Sequence, residues 1–547
     1  MNKVSNEPRW TWRFVTPQGG GKLLILALLF FSADISCAPS QHSSEATPGD
    51  TLVVLDQQKL APIHPILTAS TLSANLTDII FDGLIKLDDG FEPKPHLAES
   101  WERSADGLTW IFQLRKGVRF HDGSKLTAED VAFTFQQLRD LPVGSSFNPI
   151  FKEVESIKVI GSHTLKIVLK KPMASFLSML IVGILPKQDS VNPQPVGTGP
   201  YKLKSWSEME VLLEANEDYF LGRPNIDQIR VIVDPNSKTF WANVARGESD
   251  LFFDPMSAHD ETLKFIPGFK THSVENLYYY SLSFNMNDKL FRDPKVRQAL
   301  NYVVNKEEII AKVLKGQGQV MAGTIHPSSW AYNPKIRPCP YDPPKALALL
   351  RQAGWDDHDG DHILDKEGER FEFTVHLNTG DDLKQKSILL IQQYLMGIGI
   401  KMQVSLVDAA NIDFLFKKQF QAAFVETLAA GDPDFSYNFW HSSQIERGFN
   451  WSSYRNEQVD RLLEEGRTEF DREKRKIKYF KYQEEIFKDP PGIFLFWTNY
   501  LVGINGRFKG VKFSSAGGPF AKIHEWYVPK DEQRYKKSED LSSLVAK

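Results

Sequence analysis

Residues 114–138, LRKGVRFHDGSKLTAEDVAFTFQQL, constrain the fold more than any other stretch of the chain. Leading into it, Trp110, Phe112 and Leu114 alternate with Ile111, Gln113 and Arg115, the period of a strand with one face more buried than the other. Lys116-Gly117 and Asp122-Gly123 are turn dipeptides, in which glycine supplies the positive φ that a side chain resists. Thr127 and Asp130 stand at capping-box spacing, a hydroxyl for one unpaired N–H and a carboxylate in the positive first turn of a helix. Val131, Phe135 and Leu138 then recur as a helix stripe. The stretch reads as two short strands, a turn and a helix. Taken alone, it is also an ordinary strand-turn-helix of a globular domain.

A chain of 547 residues can bury several cores, about three domains by length. With 41% hydrophobic and 24% charged residues and a mean hydropathy of -0.33, it has the balance of a soluble globular protein. A net charge of -4 gives no footprint for nucleic acid, and two cysteines exclude both a disulfide framework and a cysteine zinc site. The N-terminus stands apart. Lys3, Arg9, Arg13 and Lys22 precede the apolar run Leu23 to Phe31, too short to span a bilayer and suited to a signal-peptide core. Cys37 follows Ile35-Ser36 as in a lipoprotein signal, which would acylate it and anchor the chain to a membrane; cleavage after Ala38 is the rival. Residues 1–37 are thus expected to be a signal and 38–50 a polar tether. Cys339 would then be a lone thiol in an oxidising compartment, and it is expected to be buried.

Val118-Arg119-Phe120-His121-Asp122-Gly123, followed by Leu126-Thr127-Ala128-Glu129-Asp130-Val131, closely resembles the signature of bacterial extracellular solute-binding proteins of the peptide/nickel class. Leu97–Trp101, Asp106–Trp110, Pro195–Tyr201, Asn216–Asp227, the run VRQALNYVVNKEEII, Gly431–Asp434 and Asn450-Trp451-Ser452 also match that family. The resemblance implies an α/β, two-lobed periplasmic-binding-protein-like (type II) fold with an extra inserted domain in the first lobe. It divides the chain into 51–80, 200–285 and 495–547 for the first lobe, 81–199 for the insertion, and 286–494 for the second lobe. It also implies a substrate-binding receptor of an ABC importer, a periplasmic or cell-envelope monomer that captures a peptide or other solute and delivers it to a permease. In that family the signature marks the fold and touches no ligand, so His121 and Asp122 are read as structural.

The rest of the chain supports an α/β succession. Leu52–Leu55 is a short buried strand, and Leu72, Leu76, Ile79 and Ile80 fall on one helix face with Ser70 or Thr71 as cap. That entry is either a plain cap or a set of free N–H groups receiving ligand oxygen. Pro195–Tyr201, with two glycines and two prolines in seven residues, is a fixed bend. In Tyr278-Tyr279-Tyr280, alternation puts Tyr279 on the opposite face from its neighbours, so at most one set faces a cleft. Asp293-Pro294 and Asp342-Pro343 each open a helix as cap and first-turn proline. Asp356–His362, DDHDGDH, tempts a metal reading. With Gly360 as the obligatory glycine, however, an EF-hand register puts Trp355 and Lys366 at ligand positions, and turn chemistry fits better. Ser387–Ile398 reads as an amphipathic helix and Ile400–Leu406 as a strand. The basic run Asp471–Lys481 reads as a helix with Ile477 and Phe480 as its apolar side. Ile493–Trp497 is a near-continuous apolar strand.

Motifs for catalysis are missing: the sequence holds no complete P-loop, no HExxH and no GxSxG. No catalytic residue, cofactor or metal is therefore expected. An exported enzyme on a small glycan or peptide, or a solute-binding signalling protein without a transporter, is the alternative. The ligand-contact expectations are Ser70, Thr71, Tyr279, Asn285, Asn378, Glu426, Asp432, Trp451 and Trp497. The resemblance also implies what is missing. Peptide-binding relatives meet the ligand amine with an aspartate three residues before the position of Asp432, and dipeptide binders meet the carboxylate with an arginine. Those positions here are Ala429 and Asn378, and a buried zwitterion without partners would cost several kcal/mol. An ordinary dipeptide is disfavoured. Glu426 either supplies the missing anion or forms a salt bridge.

Overall fold

Thr51–Asp56 is buried at all six positions, so both of its faces must be covered and it belongs in the middle of a sheet. In the computed structural model it lies parallel between Gln228–Val233 and Leu251–Asp254. The structure describes residues 47–67, 70–141, 148–187, 194–254, 266, 268–408, 411–429, 431–446 and 448–535. The expected signal, Cys37 and the tether before residue 47 lie outside them.

The sheet has eleven strands. Its order runs Lys401–Val407, Glu372–Asn378, Ala422–Leu428, Phe269–Phe284, Gly492–Asn505, Leu251–Asp254, Thr51–Asp56, Gln228–Val233, Glu210–Ala215 and Tyr201–Trp206, with Gly318–Val320 paired onto Gly492–Asn505. Two long antiparallel strands, Phe269–Phe284 and Gly492–Asn505, run through both halves of the molecule. Their register slips between Glu275 and Tyr279 and again between Tyr280 and Ser281. One core gathers Leu52, Leu76, Val231, Val274, Val502 and Trp526. A second gathers Tyr280, Leu282, Phe284, Leu300, Val375 and Phe496. The core therefore changes hands between Val274 and Tyr280 on one strand, and between Phe496 and Val502 on the other. Each fully buried aliphatic or aromatic side chain contributes roughly 1.5–3 kcal/mol to holding its half together.

The stretch 98–169 builds a separate four-stranded sheet, ordered Ala98–Arg103, Thr109–Leu114, Thr164–Leu169, Val154–Gly161. Trp110, Phe112 and Leu114 are buried as their alternation requires. The second short strand expected after them is only a bridge between Arg119 and Lys125, because the turn at Asp122-Gly123 closes too soon for a ladder. Helix Ala128–Asp140 begins at the expected cap, where Asp130 accepts from the Thr127 N–H at 2.8 Å and from its hydroxyl at 2.7 Å.

His121 ties this sheet to the crossing segment. Its backbone N–H donates to Gly197 O at 2.9 Å, its Nε2 donates to Gly199 O at 3.0 Å, and its Nδ1 accepts from the Gly197 N–H at 3.3 Å. The segment in turn lies against the end of helix Thr71–Ile80, where Gly199 N–H donates to Ile80 O at 2.9 Å. A Cβ at Gly197 would come within 1.9 Å of that same oxygen, so only glycine permits this approach. The histidine of the signature holds a chain crossing.

Helices Pro294–Val303 and Pro343–Gln352 start at Asp293 and Asp342, as their prolines require. Helix Asp382–Met396 begins five residues earlier than its apolar pattern suggests, because Asp381 caps it by accepting from the Lys384 N–H at 3.0 Å. In Arg472–Lys488 the expected apolar side is wrong. Ile477 is 54% exposed, while Arg475, Tyr479, Tyr482 and Gln483 are buried. The helix turns a charged residue inward because a buried carboxylate waits for it.

Candidate functional site

Strand Ala422–Leu428 pairs antiparallel with Phe269–Phe284, putting Thr427 opposite Tyr279 and Glu426 opposite Tyr280. The chain then turns through Gly431-Asp432-Pro433 into Ser436–Trp440. This turn and the loop after Gly318–Val320 line a cavity of about 330 Å³ counting its open mouth. Its wall is aromatic, with Tyr279, Phe435, Phe439 and Trp440, and His326 and Ala429 also line it. Burial pushes the Tyr279 hydroxyl well above its ordinary pKa, so it stays protonated, hydrogen-bonded with the Thr427 and Trp440 side chains. Trp497 backs the wall, its ring 5.1 Å from Tyr279 and 4.7 Å from His326.

His326 Nδ1 accepts from the Ser328 N–H at 3.1 Å, which leaves the ring proton on Nε2. Burial lowers its pKa against the pull of Glu275, so the ring is neutral and a donor.

The charges under this wall are already matched. Asp432 Oδ1 accepts from Arg475 Nη2 at 2.6 Å and Oδ2 from Nη1 at 2.8 Å, a two-pronged pair with both partners buried. Asp434 accepts from Arg467 Nε at 3.0 and 3.1 Å and from the Ser175 hydroxyl. Burial pushes the Asp434 carboxyl up, Arg467 pulls it down further, and the net direction is down. Asp432 thus lines the cavity without offering it a free charge.

Of the expected contacts, the structure brings Tyr279 and Asp432 to the cavity and Trp497 behind it. The other six are placed elsewhere. Ser70 caps its helix, accepting from the Ser73 N–H at 3.2 Å, and Thr71 is exposed. Neither is among the residues that line this cavity. Asn285 donates to Lys418 O at 3.1 Å and Phe420 O at 2.8 Å, fastening a turn. Asn378 donates to Asp408 O at 3.2 Å. Trp451 packs on Phe439 and Phe449 with its Nε1 3.4 Å from Ser283 Oγ. Glu426 leaves the strand on the face opposite Tyr279, beside Tyr280 and 3.9 Å from Lys384 Nζ. Burial raises its pKa against Lys384. Lys384 lies closer to Asp381, at 3.1 Å, and so is shared between the two carboxylates. Ala429 lines the cavity, as its position three before Asp432 suggests.

Sequence reasoning missed Phe435, Phe439, Trp440 and His326. The first three follow directly on the Gly-Asp-Pro-Asp turn in FSYNFW, a cluster that reads equally as core. Nothing near His326 in sequence marks it. In the DDHDGDH turn, Asp357, Asp359 and Asp361 bring carboxylate oxygens within 4.8 Å of one another. Each accepts from backbone N–H groups of the same turn, Asp357 from Gly360 and His362, Asp359 from Asp361, and Asp361 from Ile363.

Residues 92–447 match the family model for bacterial extracellular solute-binding proteins, family 5. The chain is 29% identical over 535 residues to the oligopeptide-binding protein AppA of Bacillus subtilis, covering 93% of this chain and 98% of that one. It is 29% identical to the glutathione-binding protein GsiB of Pectobacterium atrosepticum, over 81% and 88% of the two chains. The solved structure of Bacillus subtilis AppA with a nonapeptide superposes with a TM-score of 0.78, covering 89% of this chain and all of that one. NikZ of Campylobacter jejuni with Ni(L-His), at 28% identity, superposes at 0.76, covering 88% and 100%. These relatives share the two-lobed type II architecture with this α/β chain, and they bind solutes. The chain belongs to the bacterial extracellular solute-binding proteins, family 5.

Proposed function

We propose that this importer receptor holds its solute against the cavity walled by Tyr279, Phe435, Phe439 and Trp440, and that the part held there is neutral and apolar or aromatic. The observation that carries this reading is the two-pronged pairing of Asp432 with Arg475 next to Ala429, which leaves no free anion for a ligand ammonium among the described residues that line the cavity. The ligand class that fits is a longer or modified peptide presenting a side chain here, or a neutral solute. Relatives whose names record oligopeptide, glutathione and a nickel–histidine complex span that range.

Closure works through the two long strands shared by both halves. Their register slips give a place for backbone change, and a solute favours the closed form only by its differential affinity for it. In this reading 51–80, 200–285 and 495–547 move as one lobe with the insertion 81–199, against 286–494. The solute passes unaltered to a permease, and acylation of Cys37 keeps a monomeric receptor at the membrane. Native mass spectrometry of protein purified from its own host tests the proposal. A co-purifying neutral or apolar solute whose addition shrinks the radius of gyration supports it. A small cationic ligand bound with Asp432 still paired, or a solute recovered chemically changed, overturns it.

A further inference from the structure

A second cavity, of about 810 Å³ counting its mouth, opens in the 286–494 half. We propose that it is a site for a small carboxylate with an apolar tail, the carboxylate meeting Lys306 and the tail lying along Met321, Leu349, Phe487 and Phe494. This goes beyond the solute-binding reading and does not rest on it.

Lys306 is 1% exposed, yet among the described residues its ammonium forms no salt bridge within 4.0 Å. Its acceptors are two backbone carbonyls, Asn301 O at 3.1 Å and Cys339 O at 3.3 Å. An ammonium has three donors, so one remains, and a buried cation without a counter-charge is costly. Burial pushes this group down to about 8, against the weaker pulls of Cys339 and Glu307. An anion in the cavity would supply both the third acceptor and the missing charge. Two further lysines stand at the mouth. Lys345 lies over the Tyr302 ring at 4.1 Å, and Lys488 pairs with Glu485 at 2.8 Å. With a buried ammonium and an apolar lining, the cavity matches an amphiphilic monoanion rather than a cation.

Cys339 lines the same cavity and reports on it, since the only other cysteine is Cys37. Octanoate is the probe. Millimolar octanoate should raise the melting temperature of the full chain and slow alkylation of Cys339, read by peptide mass spectrometry. Lys306→Met should weaken octanoate at least ~tenfold, the scale of a lost hydrogen-bonded charge. If octanoate leaves both readouts of the wild-type protein unmoved, or Lys306→Met binds it as well, the site does not exist. Should Lys306→Met fail to fold, Leu349→Trp, which fills the mouth, must abolish protection of Cys339. Protection that survives it overturns the proposal.

Discussion

The carboxylate of Asp432 and the guanidinium of Arg475 meet edge to edge beside the aromatic-walled cavity, each 7% exposed and joined by two charge-assisted hydrogen bonds. Arg475 also donates to Gly466 O at 2.9 Å, so the pair ties the cavity turn to two helices. Removing one partner leaves a charge buried and unmatched. Arg475→Met should destabilise the protein by about 3–5 kcal/mol in urea unfolding, and Asp432→Asn added to it should recover part of that loss.

The neutral state of His121 has a pH signature. Burial holds its pKa down to about 4, against the weaker pulls of Gly199 O, Asp82 and Asp122. Its Nδ1 must accept from Gly197, which a protonated ring cannot do. An unfolded histidine titrates near 6.5, so the stability from this group is complete above that pH and is lost as the pH falls towards 4, by up to about 3 kcal/mol. Half-buried His524, held down to about 4, slopes the same way. Comparing His121→Gln with wild type in urea isolates the contribution of His121: the variant should lose less stability between pH 7 and 4.5.

The crossing segment admits no side chain at Gly197. Gly197→Ala forces a methyl into Ile80 O, and backbone on both sides must move. A loss of about 1–3 kcal/mol or more is expected, seen as a lower urea midpoint with an unchanged slope.

At the solute cavity the two faces of one strand should behave differently. Trp440→Ala removes part of the aromatic wall and should weaken the co-purifying solute by ~tenfold or more in calorimetry. Glu426→Gln acts on the opposite face and should leave that affinity within about twofold, since alternate residues of a strand face opposite ways.

Local chemistry carried much of the fold into the sequence. The caps at Thr127, Asp293 and Asp342 and the alternation through Trp110–Leu114 act within a few residues, and each is found where its pattern puts it. The helix Arg472–Lys488 shows where that stops. Its periodicity favours Ile477 as an inward residue, but Arg475 goes in instead because Asp432, forty-three residues away, is buried opposite it. Glu426 and Asp432 look alike as acids near a cleft, and only strand pairing decides that one faces Lys384 and the other Arg475.

What the sequence alone determined is what short-range forces fix: the element succession, the turns, the caps, and the family pattern along 92–447. The tertiary structure decided which charges are already matched, which aromatics line a cavity, and that the buried Lys306 ammonium meets backbone carbonyls. Those outcomes depend on pairings between residues tens to hundreds of positions apart. Desolvation and ion pairing act over a few ångströms in space, a distance that spacing along the chain does not reveal.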